Sequence, residues 1–272
     1  MIFDFSNYDQ LLPLVTNSLI VGALLAVVGG LVGVFVINRD MSFAVHGISE
    51  LSFAGASITL LIGGDVVFGS VIGSLIASLI IGVMGAKAKE RNSITAVLMP
   101  FGLGLGILAL SLYQGRASNK FGLLTGQIVA IDEPQLVSIS IISAIVIAAL
   151  LIIWRPLTFA SLDVEVASAR GVPTRTLSIV FMLLLGLSVA ASIQVVGALL
   201  VLSLLVTPAA AAVRVSSSPF VIPVLSVIFA GVSVVGGILL ALGSSLPVSP
   251  YVTSISFLIY LICRGVEWVK NR

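Results

Sequence analysis

One cysteine, one histidine and a charged fraction of 9% close off most of what a chain of 272 residues can do. The lone thiol, Cys263, excludes a disulfide framework within the chain and a cysteine-based metal cluster. The lone imidazole, His46, excludes the His-Glu-x-x-His zinc helix of metalloproteases, which needs two. No Gly-x-x-x-x-Gly-Lys-[Ser/Thr] stretch occurs, so the chain has no phosphate loop of its own for ATP. Gly63-Gly64-Asp65 follows Ile62 rather than a glycine and so misses the Gly-x-Gly-Asp pattern of membrane aspartyl proteases. Met1 to Pro13 holds Asp4 and Asp9 but no basic residue, which is wrong for a cleavable signal with its positive n-region. The first apolar span is therefore expected to stay in the mature protein. A net charge of +2 leaves no footprint for nucleic acid, and none is expected as a partner.

Scarce charge also excludes a soluble domain. Soluble chains carry about 25% charged residues; at 9%, with 59% hydrophobic residues and a mean hydropathy of +1.26, this surface has to face lipid. Apolar runs recur at 15–37, 42–62, 66–85, 94–113, 136–154, 177–193, 195–213, 221–242 and 251–266. Each approaches the roughly 20 residues that carry a helix across about 30 Å of hydrocarbon. The expectation is an all-α, polytopic transmembrane helix bundle with about eight or nine spans, one domain over 1–272. Only Gln194 interrupts 177–213, which reads either as two short spans or as a broken helix.

Basic residues set the orientation, because cytoplasmic loops collect Lys and Arg. Nine crossings with the N-terminus outside put Arg39, Lys87, Lys89, Arg91, Arg155, Arg170, Arg175, Arg214, Arg264, Lys270 and Arg272 on one side. The opposite side keeps only Arg116 and Lys120, together with the acidic Asp4, Asp9, Asp65, Asp132 and Glu133.

Inside the second run His46 precedes Glu50 by four residues. On a helix that spacing places both side chains on one face, about 6 Å apart along the axis, with Glu50 some 15 Å beyond Asp40. A carboxylate at that depth costs about 2.5–3.5 kcal/mol or more, so it faces a partner or a water-filled path. One reading is a structural His–Glu hydrogen bond between helices. The other is a site on a permeation path, since imidazole and carboxylate both ligate first-row divalent metals. Two ligands make a poor site; two copies across a symmetric dimer would bring four.

The hydrophilic stretch 155–176 is the second informative segment. Asp163 to Arg170 reads as a short amphipathic helix stopped by Gly171 as its C-cap, on the basic face. Such a helix either lies on lipid headgroups or docks a cytoplasmic partner.

With these residues in view, the chain resembles the permeases of metal-ion (manganese, zinc or iron) ABC transporters over essentially its whole length. The family's second span carries Gly-Asp-Ala-x-Ser-His-x-x-x-Pro-Gly, and here Val45, His46, Gly47, Ile48, Ser49, Glu50, Ala54 and Gly55 take those places. The family's metal-binding Asp and His fall on His46 and Glu50; Ser49 and Gly55 match, and Ala54 replaces the proline. Phe159, Asp163, Glu165, Arg170 and Gly171 fall in the loop that resembles the family's ATPase-docking segment. Gln194 to Ala212 resembles the stretch that follows it. The resemblance implies a transport subunit rather than an enzyme, in a bacterial plasma membrane, with no cofactor of its own and a divalent metal, zinc or manganese, as transported substrate. It further implies a homodimer, a cytoplasmic ATP-binding subunit, an extracytoplasmic metal-binding protein and contact with membrane lipid. The alternative is a gradient-driven secondary transporter with His46 and Glu50 as a proton or cation site, although a proton relay ordinarily shows several intramembrane ionisable groups.

Overall fold

The computed structural model describes residues 11–85, 87–115, 122–123, 131–198, 201–244 and 247–270. Asp4, Asp9, Arg116, Lys120 and Arg272, used above for orientation, lie outside them. A short 3-10 turn, Leu12–Val15, leads into α1 (Thr16–Asn38). There follow α2 (Ser42–Leu61), α3 (Val66–Met84), α4 (Ala88–Leu112) and α5 (Glu133–Leu162). After the short α6 (Val164–Ala169) come α7 (Thr174–Val196), α8 (Val201–Leu205), α9 (Thr207–Val215), α10 (Val221–Leu242) and α11 (Val248–Lys270). Eight of these are long and apolar enough to cross a membrane. Helices suit this composition because hydrocarbon offers no partner for a free backbone N–H or C=O.

The segment after α7 answers the question left open over 177–213. The segment crosses twice and also holds the break: α7 is a full span, and a second, broken crossing follows it. Ser249 Oγ donates to the Val196 carbonyl (3.0 Å), Ser256 Oγ to the Ser203 carbonyl (2.9 Å), and Arg214 Nη1 meets Glu267 Oε1 at 3.4 Å. All three contacts link residues 53 apart in sequence. The stretch from Val196 to Arg214 therefore runs parallel to α11 and keeps pace with it over about 27 Å. Among the described residues the chain thus makes eight unbroken crossings and one broken one. The break begins at Gly197, whose φ of 85° is a left-handed conformation that favours glycine.

Membrane helices gain little from hydrophobicity against one another, so close packing and hydroxyl bridges hold them. At the centre Phe35 of α1 meets Trp154 of α5 edge-on (centroids 4.8 Å apart) and Phe181 of α7 (5.8 Å). Ser52 of α2 shares a hydrogen bond with the Ser70 hydroxyl of α3 (2.8 Å), and Ser70 reaches the Ala190 carbonyl of α7 (3.4 Å). α2 is thereby enclosed by α3, α4 and α7.

One boundary departs from the sequence reading. The hydrophilic stretch does not begin at Arg155, because α5 runs on through Pro156 to Leu162, 30 residues in all. Leu157 and Ala160 are buried on this extension, and that packing carries the helix past the proline. The loop proper starts at Asp163.

Candidate metal site and cytoplasmic docking helix

His46 and Glu50 share a face of α2, one helical turn apart, with Glu50 about 12 Å from the start of the helix. Nε2 of His46 stands 3.7 Å from Oε1 of Glu50. That is a contact between the two groups, too long for a hydrogen bond. The Glu50 side chain is only 3% exposed and His46 29%, so the carboxylate lies beneath the imidazole. Phe43, one turn earlier, is also open to the surface, and the two mark a window in a helix that is otherwise buried from Ala44 to Ala54.

A structural His–Glu bond between helices would satisfy these groups from a neighbouring element. Among the described residues it does not: His46 Nδ1 and Glu50 Oε2 are buried without a partner. A buried polar atom without a bond costs about 1–3 kcal/mol, more when charged. No group of three or more His, Cys, Asp or Glu is found among the described residues. One copy of the chain therefore brings two ligands, and completing a metal shell calls for more. Of the two serines nearby, Ser49 turns its hydroxyl to the His46 carbonyl (2.8 Å), and Ser52 is taken by α3.

The backbone under this pair is held by a close helix contact. A Cβ added at Gly102 of α4 would stand 2.9 Å from both the Glu50 carbonyl carbon and the Leu51 nitrogen. Glycine lets α4 lie directly against the turn that carries Glu50.

On the outer side a cavity of about 190 Å³ is lined by Leu60, Val66, Gln135, Ile193 and Gln194, among others. Gln194, conspicuous in sequence only as an interruption, turns its Nε2 here without a partner among the described residues. Asp65 and Asp132 have local work: each caps a helix, with Asp65 accepting from the Val67 and Phe68 amides and Asp132 from that of Gln135.

The short helix expected after α5 is present as α6. Asp163 is its N-cap, accepting from the Glu165 and Val166 amides at 3.0 and 2.9 Å. Gly171 closes the helix at φ 81°, and the Val172 amide reaches back to the Ala167 carbonyl (3.0 Å). Phe159 sits on the last turns of α5, and Glu165 and Arg170 are exposed. What the sequence reading passed over is the apolar surface beside them. Leu162, Val164 and Val166 are 80%, 56% and 46% exposed, and only Ala167 of α6 is buried.

Eight unbroken spans, one broken span and an ionisable pair held within them define a polytopic membrane protein with a polar site inside the bilayer. The chain belongs to the ABC 3 transport family, whose model matches residues 11–266. The resemblance to metal-ion ABC permeases is thereby borne out, as is the helix-bundle fold, and the chain is a transport subunit of the bacterial plasma membrane. It is 29% identical to the manganese transport system membrane protein MntC of Halalkalibacterium halodurans over 85% of this chain and 80% of that one. Against the high-affinity zinc uptake system membrane protein ZnuB of Haemophilus influenzae the identity is 26%, over 90% and 94%. The solved structure of PsaBC from Streptococcus pneumoniae in complex with Fab superposes with a TM-score of 0.81 at 25% identity, covering 91% of this chain and 89% of that one.

Proposed function

We propose that this chain is the membrane-spanning permease subunit of an ABC importer for divalent transition-metal ions, zinc or manganese, with iron in the same class. His46 and Glu50 are the residues that meet the metal in transit. The observation that carries this reading is the pair itself, Glu50 buried beneath a half-buried His46, with one polar atom of each unpartnered among the described residues. Its support from relatives is that MntC and ZnuB are named for manganese and zinc transport.

The permease works as a homodimer whose two copies bring two imidazoles and two carboxylates to a shared path. Two carboxylates neutralise one divalent cation, and four N/O ligands suit zinc or manganese. The whole chain acts as one permease domain, with the loop region 155–176 docking a separate ATP-binding subunit. Phe159, Asp163, Glu165, Arg170 and Gly171 belong to that surface, and the exposed Leu162, Val164 and Val166 give it an apolar centre. Driven by that subunit, the path opens alternately to an extracytoplasmic metal-binding protein and to the cytoplasm. A gradient-driven carrier is the weaker reading, because Glu50 is the one buried carboxylate among the described residues and has no second to relay a proton.

Metal content of the purified permease with its ATPase, wild type against Glu50→Ala, tests the site. About one zinc or manganese per dimer, lost in the variant, is the expected result. Equal binding by both proteins would remove Glu50 from the ligands.

A further inference from the structure

Where the spans meet the cytoplasm, a cavity of about 360 Å³ opens between the ends of α1, α3, α4, α5 and α7 and the start of α6. Three arginines line it: Arg39 just after α1, Arg91 in the first turn of α4 and Arg175 in the first turn of α7. Arg91 is only 6% exposed. Its Nη2 donates to the Arg39 and Asp40 carbonyls (2.9 and 3.2 Å), while its Nε is buried with no partner among the described residues. Arg39 reaches the Ser161 hydroxyl at 3.4 Å and lies over the Phe181 ring.

None of the three guanidiniums has a carboxylate within 4.0 Å among the described residues. Asp40 reaches Arg91 through its field without pairing. Burial, and then the charge of Arg91, holds the Arg39 guanidinium below its ordinary pKa, as crowded like charges should. Two long helices also begin here, at Ala88 and Thr174, and α7 has no side-chain cap. The α7 N-terminus adds partial positive charge, although the Thr174 amide is taken by the Val172 carbonyl (2.8 Å); at α4 the Glu90 carboxylate already accepts from the Lys87 amide (3.4 Å). The hydroxyls of Thr174 and Ser178 complete a lining suited to an oxyanion, while that of Ser161 is taken, donating to the Leu157 carbonyl (2.6 Å).

We propose that this cavity binds the phosphate of an anionic phospholipid from the cytoplasmic leaflet. Its level decides for lipid. Every lining residue lies within four positions of a span boundary, where the headgroup phosphates of that leaflet stand and where basic pockets between helices take them. Next to Gly82 in the lining, Val83 is 44% and Met84 61% exposed, and they give an acyl chain an apolar track. A bound phosphate would tie α6, which borders the cavity through Val164, to the spans that begin or end there.

The test is lipid retention, measured by native mass spectrometry on the full chain from nanodiscs of phosphatidylcholine doped with phosphatidylglycerol. Wild type is expected to keep one phosphatidylglycerol per chain in preference to phosphatidylcholine. Retention should fall about fivefold for each arginine removed. Arg175→Gln is the first variant because Arg175 is exposed and its loss leaves the fold intact; Arg39→Gln/Arg175→Gln is the second. Equal retention by all three proteins overturns the proposal. So does release of the lipid by millimolar inorganic phosphate, which would make a free anion the occupant. Loss of ATPase-subunit binding in Arg175→Gln with lipid retention unchanged would give the cavity to a partner carboxylate and overturn it too.

Discussion

Glu50 sits one turn beyond His46 with 3.7 Å between Oε1 and Nε2, yet its side chain is 3% exposed against 29% for the histidine. The pair is therefore graded: the imidazole faces the window in α2, and the carboxylate waits behind it. On the proposed reading, a cation arriving at the window would meet the imidazole first and the carboxylate second, with water progressively removed. Desolvation strengthens that second interaction, because charges act more strongly as the surrounding dielectric falls.

Glu50→Gln separates site from scaffold. The amide fills the same space, so α2 should pack as before, and purified protein should melt at or slightly above the wild-type temperature because a buried, poorly paired charge has gone. Uptake of radioactive zinc or manganese should fall by more than the roughly 10–100-fold that loss of a merely supporting residue costs a metal site. Unchanged uptake with unchanged melting would remove Glu50 from the path.

Gly102 offers a structural test of the same site. A methyl there would press on the Glu50–Leu51 backbone at 2.9 Å, whereas a methyl at Gly104, two residues on, would meet nothing within 4 Å. Gly102→Ala should destabilise by about 1–3 kcal/mol, the usual cost of overpacking, and should lower uptake by moving α2. Gly104→Ala should do neither. Thermal melts and uptake of the two variants side by side check this, and equal behaviour would show that the α2–α4 contact is looser than described.

How far these features were legible in the sequence depended on whether polarity marked them. The His46/Glu50 pair stood out because two ionisable residues at helical spacing interrupt an apolar run. α6 was readable because Asp163 and Gly171 are chemically distinctive caps at each end. The second crossing within 177–213 was offered by the sequence but the place of its break was not, since hydropathy sees no difference between a straight apolar helix and one that bends at Gly197. Nor could the extension of α5 be seen, because Arg155-Pro156 resembles a helix end until Leu157 and Ala160 find their packing. The three cavity arginines, at 39, 91 and 175, are brought together only by tertiary structure.

The broken crossing makes a geometric prediction of its own. In a Cys263→Ala background, Ser203→Cys and Ser256→Cys should be joined by a short bifunctional thiol reagent, since the Ser256 hydroxyl already bonds the Ser203 carbonyl at 2.9 Å. Pairing cysteine at 203 with one at Thr253 or Tyr260 should give far less product, because a slip of three or four residues shifts the register by about 5–6 Å. A mobility shift on denaturing gels after cleavage between the two positions reads the result. Equal yields for all pairs would contradict the constant offset and with it the parallel course beside α11.

The proposed docking surface divides into residues that shape α6 and residues that would touch a partner. Asp163 already spends its carboxylate on two amides, so Asp163→Asn, which still caps, should leave association with the ATP-binding subunit nearly intact. Asp163→Ala should weaken it through a loss of about 1 kcal/mol of helix stability. Val166 has no such internal duty, being 46% exposed on a helix whose only buried residue is Ala167. Val166→Asp should therefore abolish association while the permease still inserts and melts normally, a combination readable by co-purification and thermal scanning. If Asp163→Asn proves as damaging as Val166→Asp, the carboxylate contacts the partner directly and its capping role is secondary. If Val166→Asp is silent, the apolar surface of α6 rests on lipid, and the ATP-binding subunit must grip the permease through Glu165, Arg170 or the end of α5.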